Sequence, residues 1–257
     1  MNTLDEKLAA FRELLEIMDL LRQKCPWDRK QTNETLRNLT IEETYELADA
    51  VIDNKPDEIM NELGDLFLHI VFYSKIGSEQ NDFDIGDVIK GLNRKLIYRH
   101  PHVFGDTMVR DHEDVKKNWE ELKMREGRTV LGGVPINLPA MIKANRIQDK
   151  VKAVGFDWEE KSQIWDKVNE ELTELKKEVQ TRNHKGIEAE FGDLIFSVIN
   201  AARLYGIDPE TALERTNKKF IKRFNRLEKE AREMGKSLKE MTLEEMNKIW
   251  DSAKDYD

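Results

Sequence analysis

Apolar residues along this chain recur at three- and four-residue intervals, the spacing of one helix face, and nowhere in several alternating β-branched strands. Leu4, Leu8, Phe11, Leu15, Met18 and Leu21 follow Thr3 and Glu6, which stand in capping-box spacing, and predict a helix over residues 3–24. Cys25-Pro26-Trp27-Asp28 interrupts it. A second helix is predicted from about Glu34 to Asp53, ending near Asn54 and Pro56. A third runs from Pro56 to about Glu79, where Ile59, Leu63, Leu66, Phe67, Ile70 and Val71 form a wide apolar stripe expected to pack. A fourth starts near Asp84 and stops at Pro101, and a polar helical stretch follows at roughly 111–125. Residues 126–140 hold Gly127, Gly132, Gly133, Pro135 and Pro139 and read as a linker. Helical spacing resumes at about 140–152, 162–183, 186–205, 208–234 and 242–253. The expected fold is all-α, with domains at 1–125 and 141–257 on either side of the linker.

The second half repeats the first. At an offset of 128, Glu42-Glu43-x-x-Glu46 aligns with Glu170-Glu171-x-x-Glu174, and Glu62-Leu63-Gly64-Asp65-Leu66 with Glu190-Phe191-Gly192-Asp193-Leu194. At the neighbouring offset of 124, Asp84, Asn93, Lys95 and Arg99 recur as Asp208, Asn217, Lys219 and Arg223. A duplicated helical domain explains both sets.

The repeated carboxylates change the picture from architecture to chemistry. Glu43 and Glu46 lie three residues apart, as do Glu62 and Asp65, so each pair projects from one helix face. Packing the two helices together draws these acids into one partly desolvated space, where like charges raise one another's pKa. A hard divalent cation relieves that repulsion, and an all-oxygen set suits Mg²⁺ or Mn²⁺. The same reasoning applies to Glu171, Glu174, Glu190 and Asp193. The plainer alternative is a capping box at Thr40 and Glu43 with acids set against a helix dipole. Lys95 with Arg99, and Lys219 with Arg223, share helix faces and would complete a phosphate site, unless they are surface ion pairs.

Composition narrows the ligands. Net charge is -9, with 51 Asp+Glu against 42 Lys+Arg, which argues against a general nucleic-acid or anionic-membrane binder. No apolar run approaches the ~18–20 residues of a membrane span, the N-terminus lacks an apolar signal core, and a cytoplasmic location is expected. One cysteine, Cys25, leaves no intramolecular disulfide or multi-cysteine zinc site. His100 and His102 flank Pro101 and read as a structural corner. Trp27, Trp119, Trp158 and Trp250 read as packing residues, although Trp27 and Trp158 precede the acidic helices closely enough for one of them to touch a nucleobase.

CPWDRKQTNETL, the EExxE of residues 42–46, ELGDL at 62–66, KLIYRHPHVFGD at 95–106, NWEELK at 118–123, LPAMIKANRIQDKVKAVGFDW at 138–158 and the second EELTEL and EFGDL set resemble the MazG family of nucleoside triphosphate pyrophosphohydrolases. The resemblance implies tandem all-α MazG domains, a homodimer whose partner helices complete the bundles, and Mg²⁺-dependent hydrolysis of nucleoside triphosphates to nucleoside monophosphate and pyrophosphate, a house-cleaning activity. Matched by motif, the metal ligands are Glu43, Glu46, Glu62 and Asp65, then Glu171, Glu174, Glu190 and Asp193, while Glu42 and Glu170 are supporting acids that orient water. Tyr98 precedes Arg99 where relatives often carry a second Arg. A helical regulatory module that binds a nucleotide or protein without hydrolysis is the alternative. The repeats also differ: Phe72 stands where the second has Asn200, a polar group for a sugar or phosphate, so the second repeat is the expected main centre.

Overall fold

A computed structural model describes residues 1–111, 114, 115, 118 and 129–254. Among the described residues every regular element is helical, as expected, and the helix bounds fall within about two residues of those read from spacing. The polar stretch at 111–125 lies largely outside the described residues, as do residues 126–128 of the expected linker. The chain divides into two compact units, Met1–Val109 and Arg110–Asp257.

In the first unit, α1 (Leu4–Lys24) carries the Thr3–Glu6 capping box, and a 3₁₀ turn (Asp28–Lys30) leads into α2 (Asn33–Ile52). α2 and α3 (Pro56–Glu79) form a helical hairpin, turned by Asn54 in the left-handed region at φ 52°. α4 (Ile85–Arg99) starts at an Asp84 cap, and the short α5 (Pro101–Phe104) follows. Met18, Leu36, Val71, Phe72 and Ile76 make the buried core, with Phe11, Leu15 and Leu68 packed on it.

One alternative falls here and one expectation is corrected. α2 is capped by Thr32, whose Oγ accepts from the Thr35 amide; Thr40 sits two turns inside the helix, donating to the Leu36 carbonyl and paired with the Tyr73 hydroxyl. Glu43 is therefore not part of a cap. The apolar stripe of α3 is also only partly buried: Leu63, Phe67 and Ile70 are 52, 41 and 46% exposed, and of the stripe Val71 joins the core cluster, beside Phe72 and Ile76. One hairpin partner covers one side of the helix, and this stripe is wider than that side.

The second unit repeats the hairpin. α6 (Ala140–Lys152) packs on α8 (His184–Leu204), which pairs with α7 (Gln163–Thr181); α9 (Pro209–Glu233) touches α6 and α8 and packs on α10 (Leu243–Ala253). Leu227, Ala231, Met241 and Ile249 form a buried cluster between α9, the loop after it and α10.

Candidate functional site

Each hairpin gathers acids from both its helices. In the first unit, carboxylate oxygens of Glu43 on α2 and of Glu62 and Asp65 on α3 lie within 4.8 Å of one another. Burial raises the Glu43 carboxyl, and the neighbouring charges of Asp65, Glu46, Glu62 and Glu42 raise it further. Glu42 and Glu46 are exposed on the same helix, outside that group.

In the second unit the corresponding group is Glu171 and Glu174 on α7 with Glu190 on α8, again within 4.8 Å. Burial raises the Glu190 carboxyl, reinforced by Glu174, Asp193, Glu171 and Glu178. Its Oε2 is buried with no hydrogen-bond partner. Asp193 is exposed and outside the group. Of the four equivalent positions, each unit thus brings together three, and the one left out differs. The packed-hairpin reading of the spacing is right, while the rotamer of each acid was not legible from it.

An all-oxygen triad with an orphaned, buried carboxylate oxygen fits a hard divalent cation. Among the described residues no His or Cys joins either group.

The second triad holds a cation of its own. Lys167 Nζ lies 2.7 Å from Glu171 Oε1 and 2.9 Å from Glu170 Oε1. These carboxylates drive the Lys167 ammonium above its usual pKa, so it stays charged. Glu171 is 6% exposed, and Glu170 faces solvent.

The basic residues read from the sequence are carried by α4 and α9, outside the hairpins. Lys95 and Lys219 are exposed, whereas Arg99 and Arg223 are half-buried. Arg223 stacks its guanidinium 5.7 Å over the Trp250 ring of α10, which Phe220 also meets at 4.9 Å. Trp250 packs as expected, but its link to the basic pair was not visible in sequence, because the two lie on separate helices.

Asn200 is not a free polar group. Its Oδ1 accepts from Arg203 Nε at 2.9 Å and Nη2 at 2.8 Å, and Arg203 in turn clamps both oxygens of Asp157. Only the Asn200 amide Nδ2 remains available as a donor. Asn200 lines a pocket of about 410 Å³ with Gln148, Phe156, Trp158, Phe196 and Arg203. Phe196, Asn200 and Arg203 place one wall of the pocket on α8, the helix that also carries Glu190. Gly155, at φ +87°, makes the turn that leads into Phe156. In the first unit Phe72 is 2% exposed, under the Arg22 guanidinium at 5.4 Å, and packs in the core as its aromatic character suggested.

Trp27 is 55% exposed and is not a core residue, a correction to the packing expectation; Trp119 lies outside the described residues. The His100 and His102 rings meet at 5.6 Å, tilted by 54°, in the α4–α5 corner, with His100 Nδ1 on the Leu96 carbonyl, which agrees with a structural corner.

The profile of the MazG nucleotide pyrophosphohydrolase domain matches residues 31–104 and 159–227, the two segments that contain the acidic hairpins. The chain is 41% identical over 253 residues to the nucleoside triphosphate pyrophosphohydrolase/pyrophosphatase MazG of Thermotoga maritima, with 96% of each chain covered. It is 37% identical over 251 residues to the nucleoside triphosphate pyrophosphohydrolase of Escherichia coli K12, covering 94% of this chain and 95% of that one. An uncharacterized protein of Bacillus subtilis, YabN, is 46% identical over 236 residues, which span 48% of its length. With both repeats matched and near-complete coverage of two relatives, this chain belongs to the MazG family of nucleotide pyrophosphohydrolases.

Proposed function

We propose that this chain hydrolyses nucleoside triphosphates at the α–β phosphoanhydride bond, giving nucleoside monophosphate and pyrophosphate, with Mg²⁺ or Mn²⁺ as cofactor. The observation that carries this reading is the triad of converging carboxylates, with a buried orphan oxygen on Glu190. Glu171, Glu174, Glu190 and Asp193 would hold the cation in the second unit, and Glu43, Glu46, Glu62 and Asp65 in the first. A bound Mg²⁺ supplies Lewis-acid polarisation of phosphate oxygens and acidifies water. The chain's own residues do the rest. Glu170, and Glu42 in the first unit, orient the attacking water toward the α-phosphorus. Lys219 and Arg223, with Lys95 and Arg99 as counterparts, neutralise the outer phosphate oxygens, since an acidic protein needs a local basic pair to hold a polyanion. The Phe156–Trp158 pocket takes the nucleoside end, with Asn200 Nδ2 as a polar contact. The second unit is the main centre, because Phe72 fills the equivalent position in the first.

The boundaries 1–125, 126–140 and 141–257 are proposed as two MazG domains and their linker. Leu63, Phe67 and Ile70 on one hairpin, and Phe191, Ile195 and Val198 on the other, are exposed apolar residues that a second copy would cover, giving a homodimer. Among the described residues no helix is long and apolar enough to cross a membrane, and we place the activity in the cytoplasm, removing unwanted nucleotides.

Product chromatography with a panel of NTPs and dNTPs tests the reaction. The expected products are nucleoside monophosphate and pyrophosphate, lost on addition of EDTA. Nucleoside diphosphate and orthophosphate as first products would refute attack at the α-phosphorus, and tight nucleotide binding with no product would assign the chain a regulatory role instead.

A further inference from the structure

The two acidic groups are alike in composition and unlike in how their charge is balanced. Among the described residues no cation pairs with Glu43, Glu62 or Asp65. At the offset of 128, the first unit has Leu39 where the second has Lys167, and Leu39 packs against the apolar core. In the second unit the Lys167 ammonium sits 2.7 Å from Glu171, a nearly buried member of the triad, one helical turn along α7. An ammonium at this distance occupies the charge that a divalent cation would otherwise neutralise, and two cations on one carboxylate repel each other.

Resting on the metal reading above, we propose that Lys167 is a built-in counter-ion of the second acidic cluster, competing with the divalent cation for Glu171 and weakening metal binding there. Its place on the helix makes the competition local: Lys167 reaches Glu170 and Glu171 at i+3 and i+4, while Glu174 and Glu190 have no ion pair with it. The ammonium keeps the cluster compact before metal arrives and must give up Glu171 when it binds. Lys167 is thus a positioning residue that sets affinity rather than a ligand.

The test uses the full chain carrying Glu62→Gln and Asp65→Asn, so that the first cluster is silenced, and measures Mn²⁺ binding by calorimetry and by the electron paramagnetic resonance of free Mn²⁺, with no nucleotide present. Lys167→Met keeps the apolar stem and removes the charge; its Mn²⁺ dissociation constant is expected to fall about tenfold. Lys167→Arg keeps the charge and should leave the constant near that of the background chain. Without metal, Lys167→Met should melt earlier than the background chain, and Mn²⁺ should raise its melting temperature by more, which also shows that it folds. An unchanged or weakened Mn²⁺ constant in Lys167→Met overturns the competition. Failure of both the background chain and the variant to bind Mn²⁺ overturns the metal reading of the cluster, and the proposal with it.

Discussion

A carboxyl surrounded by other carboxyls titrates high, and at residue scale that one effect links stability, metal and turnover. The Glu190 carboxyl is raised first by burial and then by Glu174, Asp193, Glu171 and Glu178. Because its folded pKa exceeds its unfolded one, the folded chain binds the proton more tightly; its contribution opposes folding at neutral pH and fades as pH falls toward the ordinary glutamate value. Glu190→Gln is therefore expected to raise the melting temperature in EDTA at neutral pH, and the gain should vanish near an ordinary glutamate pKa of about 4.3. The same substitution should cut pyrophosphate release by more than about 100-fold, the upper end of what losing a mere supporting partner costs. A variant that destabilised the metal-free chain at neutral pH would show that Glu190 is held by partners and not by repulsion. The unequal repeats make a second prediction: Glu174→Ala should abolish most pyrophosphate release, while Glu46→Ala spares most of it. Activity lost in Glu46→Ala and intact in Glu174→Ala reverses the assignment. Spacing made these acids legible, because residues three apart must share a helix face. It did not expose Lys167, since a lysine three or four residues before a glutamate is ordinary on any charged helix.

Elements were legible where a local rule acts alone. The Thr3–Glu6 box, the Asp84 cap and the Pro101 stop set helix ends through neighbouring residues only. Spacing places the start of α2 at about Glu34, next to the observed Asn33, but Thr40 and Glu43 also match the capping pattern inside the helix, whereas the cap pairs Thr32 with Thr35. Tertiary clamps were not legible at all. Asp157, in the loop before α7, and Arg203, near the end of α8, are 46 residues apart, and their pairing with Asn200 fixes one wall of the pocket. Burial alone would raise the Asp157 carboxyl, but Arg203 and the Trp158 amide outweigh it and hold the group below its usual value. Its contribution to stability is thus present at neutral pH and is lost as pH falls through the depressed value. The Arg203 side chain is 7% exposed, so Arg203→Ala should cost about 3 kcal/mol in urea unfolding, the lower end of what breaking a buried pair costs. A loss within about 0.5 kcal/mol, the scale of an ordinary surface substitution, would show the clamp to be incidental.

The whole molecule poses the question of what covers its hairpins. Leu63, Phe67 and Ile70 are 52, 41 and 46% exposed; at the offset of 128 their counterparts Phe191, Ile195 and Val198 are 49, 52 and 47% exposed. The four-then-three spacing puts each trio on one line of its helix, and both lines run along the helix that carries Glu62 and Asp65, or Glu190 and Asp193. Chance exposure of single apolar residues is normal, but here the same line is open on both repeats, which supports the proposed homodimer contact. Periodicity alone could not separate this line from the core stripe, since a helix apolar on two sides has one continuous pattern. Full burial of such a side chain contributes about 1.5–3 kcal/mol, so two copies meeting through these trios gain enough to offset association costs of about 4–15 kcal/mol. The unaltered chain is accordingly expected to be a dimer by light scattering at micromolar concentration, with a melting temperature that rises with protein concentration. Ile195→Asp places a charge in the middle of the second trio and should dissociate the dimer while leaving the helical circular dichroism of the chain in place, because Ile195 lies outside the buried core. A strict monomer in the unaltered chain, or a dimer untouched by both Ile195→Asp and Phe67→Asp, would place the partner surface elsewhere.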